Sequence, residues 1–274
     1  MRRTKQALQT VAVLMTLLVL PALMVLFSPN PSTVSAEVYS NEVGFIKAET
    51  KDNGATLVSV PLTLLSDTPY YGLNNQALNA PGPVGQMLAA DLVGSTSFPT
   101  ADKVMYFNGT TYRTAWLYYN AGNPSDPYNN LWLEGLAVSN LTLEPEKGFW
   151  VVRAHTGDPD TVTFLGEVRT DPSVQITFSI GWKTFSWPYP TSQSIQTSSL
   201  AADGAYKAAT FNQADRVGAY SAVTGYEWSW LYTSGTWYTG LVPSTLTLEP
   251  QRGYWYYRQA AAGGPFTWTC VKPY

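Results

Sequence analysis

Apolar and polar residues alternate over short stretches along most of this chain, and no stretch after the first 36 residues sustains a helical period over three turns. In the second half the alternation predicts strands over 182–187, 216–220, 226–232, 236–240, 244–248 and 253–258, with Gly, Pro and Ser between them. In the first half 43–46 and 56–62 alternate in the same way. Between them Lys51-Asp52-Asn53-Gly54 reads as a hairpin turn, since Asn-Gly suits two successive positive-φ positions. Segments 161–168 and 173–180 read as two further strands joined through Thr170-Asp171-Pro172, and 88–92 reads as one short helical turn. The pattern predicts an all-β protein of antiparallel sandwich-like or barrel-like packing.

The pattern also repeats. Residues 141–153 read LTLEPEKGFWVVR and residues 246–258 read LTLEPQRGYWYYR, 105 positions on. We read each as strand, tight turn and strand, with Pro145 opening the turn and Gly148 closing it at positive φ. Upstream, Leu88-Ala89-Ala90-Asp91 returns as Leu200-Ala201-Ala202-Asp203, Ala101-Asp102 as Ala214-Asp215, Trp116-Leu117-Tyr118 as Trp230-Leu231-Tyr232, and Ser59-Val60-Pro61 as Ser186-Trp187-Pro188. The order is the same in both halves, as a tandem duplication requires. The offset falls from 127 at Ser59 to 112 at Leu88, and from 114 at Tyr118 to 105 at Leu141, so copy one carries longer loops after Pro61 and between Tyr119 and Leu131. The expected organisation is a leader over 1–36, module one with an N-terminal extension over 37–170, and module two over 171–274. The segment 37–46 precedes the duplicated unit and has no evident counterpart in copy two.

Composition adds a compartment. Arg2, Arg3 and Lys5 precede a run over 11–27 that is apolar apart from Thr16 and Pro21, and Val34-Ser35-Ala36 follows as a small-residue cleavage pattern. That is a signal peptide, expected as a helix and cleaved after Ala36; an uncleaved anchor is the alternative, although the run is short against the roughly 20 apolar residues a span needs. The net charge is −3, and loss of the three basic leader residues would take it to −6. Without a basic cluster the chain has no expected nucleic-acid partner, nor a membrane partner once the leader is gone. Cys270 is the single cysteine, so burial rather than disulfides must hold the fold, and 10 Trp, 18 Tyr and 10 Phe supply the material. Residues 271–274 add no apolar tail or basic cluster, which points to release or non-covalent attachment.

The residues 181–188, GWKTFSWP, together with LTLEPQRGYW at 246–255, resemble a module of bacterial surface and extracellular proteins whose pattern opens with "GWN-L-S-P" and closes with "LEPGKGYW". Copy two follows it over 181–258 and copy one more loosely over 54–153; Lys183 and Gln251 depart from it. Ser40-Asn41-Glu42-Val43-Gly44-Phe45 with Val58-Ser59-Val60-Pro61 resembles the start of exported proteins of Verrucomicrobia-like bacteria. The resemblances imply export and a β-module. They carry no catalytic residues, because neither family has an assigned activity.

Chemistry is sparse. His155, the only histidine, is not repeated, since Ala260 stands at its counterpart. Glu144 and Glu249 travel with the turn rather than facing each other across a cleft, as a glycosidase pair must; accepting backbone N–H groups at the turn, or pairing with Lys147 and Arg252, explains them. Asp91, Asp203, Asp102 and Asp215 read as turn caps. Asp158 and Asp160, with Asp126 in another loop, are the calcium candidates, and no cofactor is implied. The surplus is aromatic: Trp116, Trp132, Trp150, Trp230, Trp237 and Trp255 sit at repeated positions and are the candidate ligand platform, while Trp187, Trp228 and Tyr257 belong to copy two alone. The expectation is an exported, non-enzymatic structural or adhesive protein. The alternatives are a polysaccharide-binding protein using exposed Trp and Tyr, and a filament or surface-layer subunit that pairs with copies of itself through its N-terminal strand.

Overall fold

The computed structural model describes residues 43–63, 73–75, 80–81, 83–156, 161–221 and 224–274. The expected leader and the calcium candidates Asp158 and Asp160 lie outside them. The chain is all-β, with 44% of it in strands. Two six-stranded antiparallel sheets share one topology. In the first the order is Ala55–Val58, Phe149–Val152, Lys103–Phe107, Tyr112–Leu117, Trp132–Glu134, Ala137–Val138. In the second it is Gly181–Ser186, Gly253–Arg258, Arg216–Ser221, Gly225–Leu231, Trp237–Thr239, Val242–Pro243. The duplication read from sequence is therefore a duplication of structure, strand for strand.

A two-stranded ribbon covers one face of each sheet. Val43–Glu49 pairs with Thr161–Glu167, and Ser173–Phe178 pairs with Phe266–Val271. Segments 161–168 and 173–180 hold the two strands expected, and each closes its own module. Three expectations change here. The segment from Val43 does have a counterpart, because Ala48 opposite Val162 and Ile46 opposite Phe164 match Phe178 opposite Phe266 and Ile176 opposite Trp268. It is therefore part of module one rather than a free extension. The strand Phe266–Val271 was not anticipated. Asn53 does take positive φ, at 43°, but the strands on either side pair elsewhere, so 51–54 turns a corner between ribbon and sheet rather than closing a hairpin. Gly181, at φ 93°, turns the matching corner in module two.

Each core lies between sheet and ribbon. In module one Phe164 and Val162 meet Phe149, Val151, Val104 and Leu117; in module two Phe178 and Trp268 meet Phe185, Tyr254, Tyr256 and Leu231. The two cores fill the same space with different volumes. Module one has a large Tyr106 and a small Val151 where module two has a small Ala219 and a large Tyr256, an exchange of the kind packed interiors tolerate. The helical turn expected at 88–92 belongs to a longer helix, Pro83–Asp91, which begins on a proline where a missing N–H costs nothing; module two has only a 3₁₀ turn, Ser199–Ala201. Leu88 and Leu200 anchor the two elements, each fully buried.

Loop register is held by a repeated amide. The Asn74 side chain bridges the Trp132 and Ser139 carbonyls and accepts from the Trp132 N–H, and Gln196 does the same for Trp237 and Ser244. Asn74 and Gln196 are 122 apart, between the flanking offsets of 127 and 112, so the extra residues of copy one enter as two insertions on either side of this clamp.

By its contacts, Asn41–Tyr274 is one unit. Within it the modules dock through the repeated EP turn, and the contacts are reciprocal. Ser59 Oγ donates to the Pro250 carbonyl at 2.8 Å, and Ser186 Oγ donates to the Pro145 carbonyl at 2.6 Å. The Ser59 N–H reaches the Gln251 carbonyl and the Ser186 N–H reaches the Glu146 carbonyl. Phe107 meets Trp255 edge-on at 5.1 Å, and its counterpart Tyr220 meets Trp150 at 5.1 Å. The same patch on both partners, each meeting the other's equivalent, is the pattern of a two-fold interface inside one chain. Gly148 and Gly253 meet at its centre: a Cβ on Gly253 would stand 2.9 Å from the Gly148 Cα and 2.8 Å from Leu57. Neither glycine is among the positive-φ residues, so this contact, and not turn geometry, requires them. Nor is the repeated stretch a hairpin, since Thr247–Leu248 pairs with Gln193–Ser194 and Gly253–Arg258 pairs within the sheet.

Candidate functional site

The two faces of each sheet differ. In module two Tyr254 and Tyr256 point into the core, so Trp255 and Tyr257 point the other way, as alternation along a strand dictates. Register places Trp182 opposite Tyr257, Gly218 opposite both Trp255 and Trp228, and Tyr220 opposite Tyr226. The outer face is thus paved with rings. Trp182 meets Tyr257 at 4.5 Å, Trp228 at 5.4 Å and Trp255 at 5.9 Å, and Tyr226 lies nearly parallel to Trp228, their planes 23° apart. Gly218 makes room for this: a Cβ there would lie 2.3 Å from the Trp228 ring.

Module one completes the site. Its Phe107 and Tyr112 both reach Trp255, so that Phe107, Trp182, Tyr226, Trp228 and Trp255 surround an open cavity of about 320 Å³. Trp182 is 40% exposed and Tyr226 43%. Beyond Tyr226 and Trp228 the surface continues into a wider groove of about 880 Å³, where Phe211 and Trp230 are joined by Thr210, Thr239 and Glu227. The Arg216 guanidinium lies 4.6 Å from both the Phe211 and Tyr257 rings and 5.9 Å from Trp182. Burial pushes its pKa down, but a guanidinium stays charged, so the pavement already holds one cation.

The expected platform is elsewhere. Trp116, Trp132, Trp150, Trp230, Trp237 and Trp255 are all at most 8% exposed. Trp132 and Trp237 fill the two cores, while the Trp116 and Trp230 indoles donate to the Gly135 and Gly240 carbonyls. Trp150 and Trp255 belong to the seam; only Trp255 borders the cavity and only Trp230 the groove. Rings that both copies need are structural. Three rings of the pavement stand where the copies differ: exposed Trp182 and half-buried Trp228 and Tyr257 replace Ala55, Thr114 and Val152 of module one, whereas exposed Tyr226 repeats exposed Tyr112. That difference was legible for Trp228 and Tyr257, but only register shows that they join Trp182.

The repeated carboxylates are structural as well. Asp102 and Asp215 are not turn caps; both are fully buried beneath the repeated Arg153 and Arg258. Asp215 binds Arg258 at 3.0 Å, the Tyr256 hydroxyl at 2.7 Å and the N–H groups of Tyr206 and Gln259. Asp102 stands 3.9 Å from Arg153 and accepts from the N–H groups of Val93 and Ala154. Asp91 and Asp203 receive the N–H groups of Thr163 and Thr269, tying each ribbon to its module. Glu144 pairs with Lys147 at 2.7 Å and accepts from Tyr106; burial pushes its pKa up, but those partners outweigh burial and hold it below the usual value. Glu249 pairs with Arg252 at 3.8 Å. Asp126 ties its own loop together through Tyr118, Asn120 and the Tyr128 N–H. His155 meets the Thr100 carbonyl. Among the described residues no group of three His, Cys, Asp or Glu could hold a metal, and no helix is long and apolar enough to cross a membrane. A polar cleft of about 440 Å³ at the seam mixes Lys47, Lys51 and Arg252 with Glu49 and Glu249, opposite charges that offset one another. No protein-family model, curated protein or solved structure matches the chain.

Proposed function

We propose that this is an exported, non-enzymatic adhesive protein that holds polysaccharide on the aromatic face of module two. One observation carries the reading: exposed Trp182 and half-buried Trp228 occupy positions that the twin module fills with Ala55 and Thr114. The fold therefore does not demand these tryptophans. Rings at the surface that packing does not require suit the apolar faces of sugars, and the groove beside them offers hydroxyls and a carboxylate for hydrogen bonds. Export, the surface setting and the adhesive role rest on the leader and on the resemblance to bacterial surface modules.

A glycan array and a polysaccharide pull-down on the full chain test this reading. Retention of at least one glycan, weakened about tenfold or more by Trp182→Ala, is expected. Retention of none, or an unchanged affinity in that variant, overturns it.

A further inference from the structure

We infer that the five-ring cavity selects a sugar whose buried substituent ends in a methyl group, such as a 6-deoxyhexose, and that it takes one ring of a chain rather than a flat polysaccharide surface. The inference rests on the polysaccharide reading and narrows it.

Shape comes first. A flat surface needs coplanar rings. Here Trp182 is inclined 61° to Trp228 and 88° to Trp255, and Phe107 of module one stands 61° from Trp255. These rings form walls and a floor. Tyr112, 43% exposed, rises beside Phe107 at 5.2 Å and extends the wall contributed by module one. The cavity, at about 320 Å³, suits one inserted sugar ring, while the wider groove can carry the rest of a chain.

Lining chemistry comes second. None of the five residues is charged, and their only side-chain polar atoms are three indole N–H groups and the Tyr226 hydroxyl. A hydroxymethyl group set against the ring faces, out of reach of those four atoms, loses water without gaining partners, which costs far more than leaving a methyl there. A methyl also gains contact with ring faces. A quaternary ammonium ligand would value the same rings, but Arg216 already sits 5.9 Å from Trp182 and opposes a second cation.

The twin module is the internal control. Its Ala55 and Thr114 remove two of the walls, and Met105 stands where Gly218 makes room for Trp228. The paired substitution Gly218→Met with Trp228→Thr therefore copies a combination this fold already accommodates.

Tryptophan emission of the full chain should be titrated with methyl α-L-fucopyranoside against methyl α-L-galactopyranoside, and with the rhamnoside against the L-mannoside. Members of each pair differ only at C6. The methyl-bearing sugar of at least one pair should bind about tenfold or more tighter, and the double variant, shown folded by its cooperative unfolding, should lose that preference. Equal binding within both pairs, no binding in either, a preference that survives in the double variant, or binding of choline alone each overturns the inference. If the array retains glycans without a methyl preference, the polysaccharide reading stands and this one falls. If it retains none, both fall.

Discussion

The two modules share strand order, seam, clamps and buried ion pairs, and they differ in what their outer faces show. Module one presents Ala55, Met105, Thr114 and Val152; module two presents Trp182, Gly218, Trp228 and Tyr257 at the same places. What both copies keep is what the fold needs: Asp102 and Asp215, Arg153 and Arg258, Gly148 and Gly253, and the six repeated tryptophans, all buried or at the seam. Asymmetry alone does not bring a ring to the surface, since Trp187, where module one has Val60, is buried in the core; Trp182, Trp228 and Tyr257 are set apart by being both unrepeated and on the outer face.

The comparison can be broken most severely at the buried carboxylates. Asp215→Ala strands Arg258 and removes the Tyr256 partner, and should destabilise module two by about 3–5 kcal/mol in urea unfolding. Asp102→Ala should cost less, because Arg153 is farther away and no tyrosine joins. Equal losses would mean that the shared backbone bonds, and not the ion pairs, carry these sites.

Substitution at the seam is expected to cost less. Gly253→Ala forces a Cβ against Gly148 and Leu57 and should destabilise by about 1–3 kcal/mol. It should also weaken sugar binding without touching the cavity, because Phe107 and Tyr112 reach Trp255 only while the modules stay docked. Unchanged unfolding and an unchanged radius in solution scattering would show that the seam has room to spare.

High pH should affect both modules. Burial pushes Tyr254, Tyr256 and Cys270 up in module two and Tyr106 in module one. A raised acid stabilises the protonated native state, so this contribution is complete below the unfolded values, about 8.5 for the thiol and about 10 for the tyrosines, and is lost as pH rises above them. The share of ionised-tyrosine absorbance that Tyr256→Phe removes belongs to a buried ring and should therefore appear in step with unfolding. Tyr256→Phe should reduce that coupling; ionisation well before unfolding would contradict it.

The smallest effect expected is at the EP turns. Glu144→Gln should cost less than about 1 kcal/mol, and Glu249→Gln less again, since its partner stands 3.8 Å away. The Glu144 carboxyl lies below its usual value, so its contribution is present at neutral pH and is lost on acidification through the folded-state pKa. Wild type and Glu144→Gln should thus converge in stability at low pH.

Much of the architecture was legible because strands announce themselves locally. Gly253–Arg258 has the limits its alternation predicts, and the repeat fixed the equivalence of the sheets. Pairing was not legible. Val43 meets Glu167 and Ser173 meets Val271 across about a hundred residues, and alternation within a strand says nothing about its partner. The ribbons also hid their kinship, since VGFIKAE and SVQITF share a period but almost no residues. Gly148 reads as a turn glycine because the sequence shows a neighbour along the chain and conceals one 105 residues away. The site was only half visible: Trp228 and Tyr257 stood out as unrepeated, but Trp182 joins them through register, and Phe107 through a seam that no local pattern encodes.

The reciprocal seam has a consequence for specialisation. Two identical subunits meeting in this way would have to carry every surface feature twice, because one gene would write both. Joined in a single polypeptide, the halves can keep a common handshake while one of them changes its outward dress, so a site can arise mainly on one half while the other lends only the edge of a wall, here Phe107 and Tyr112.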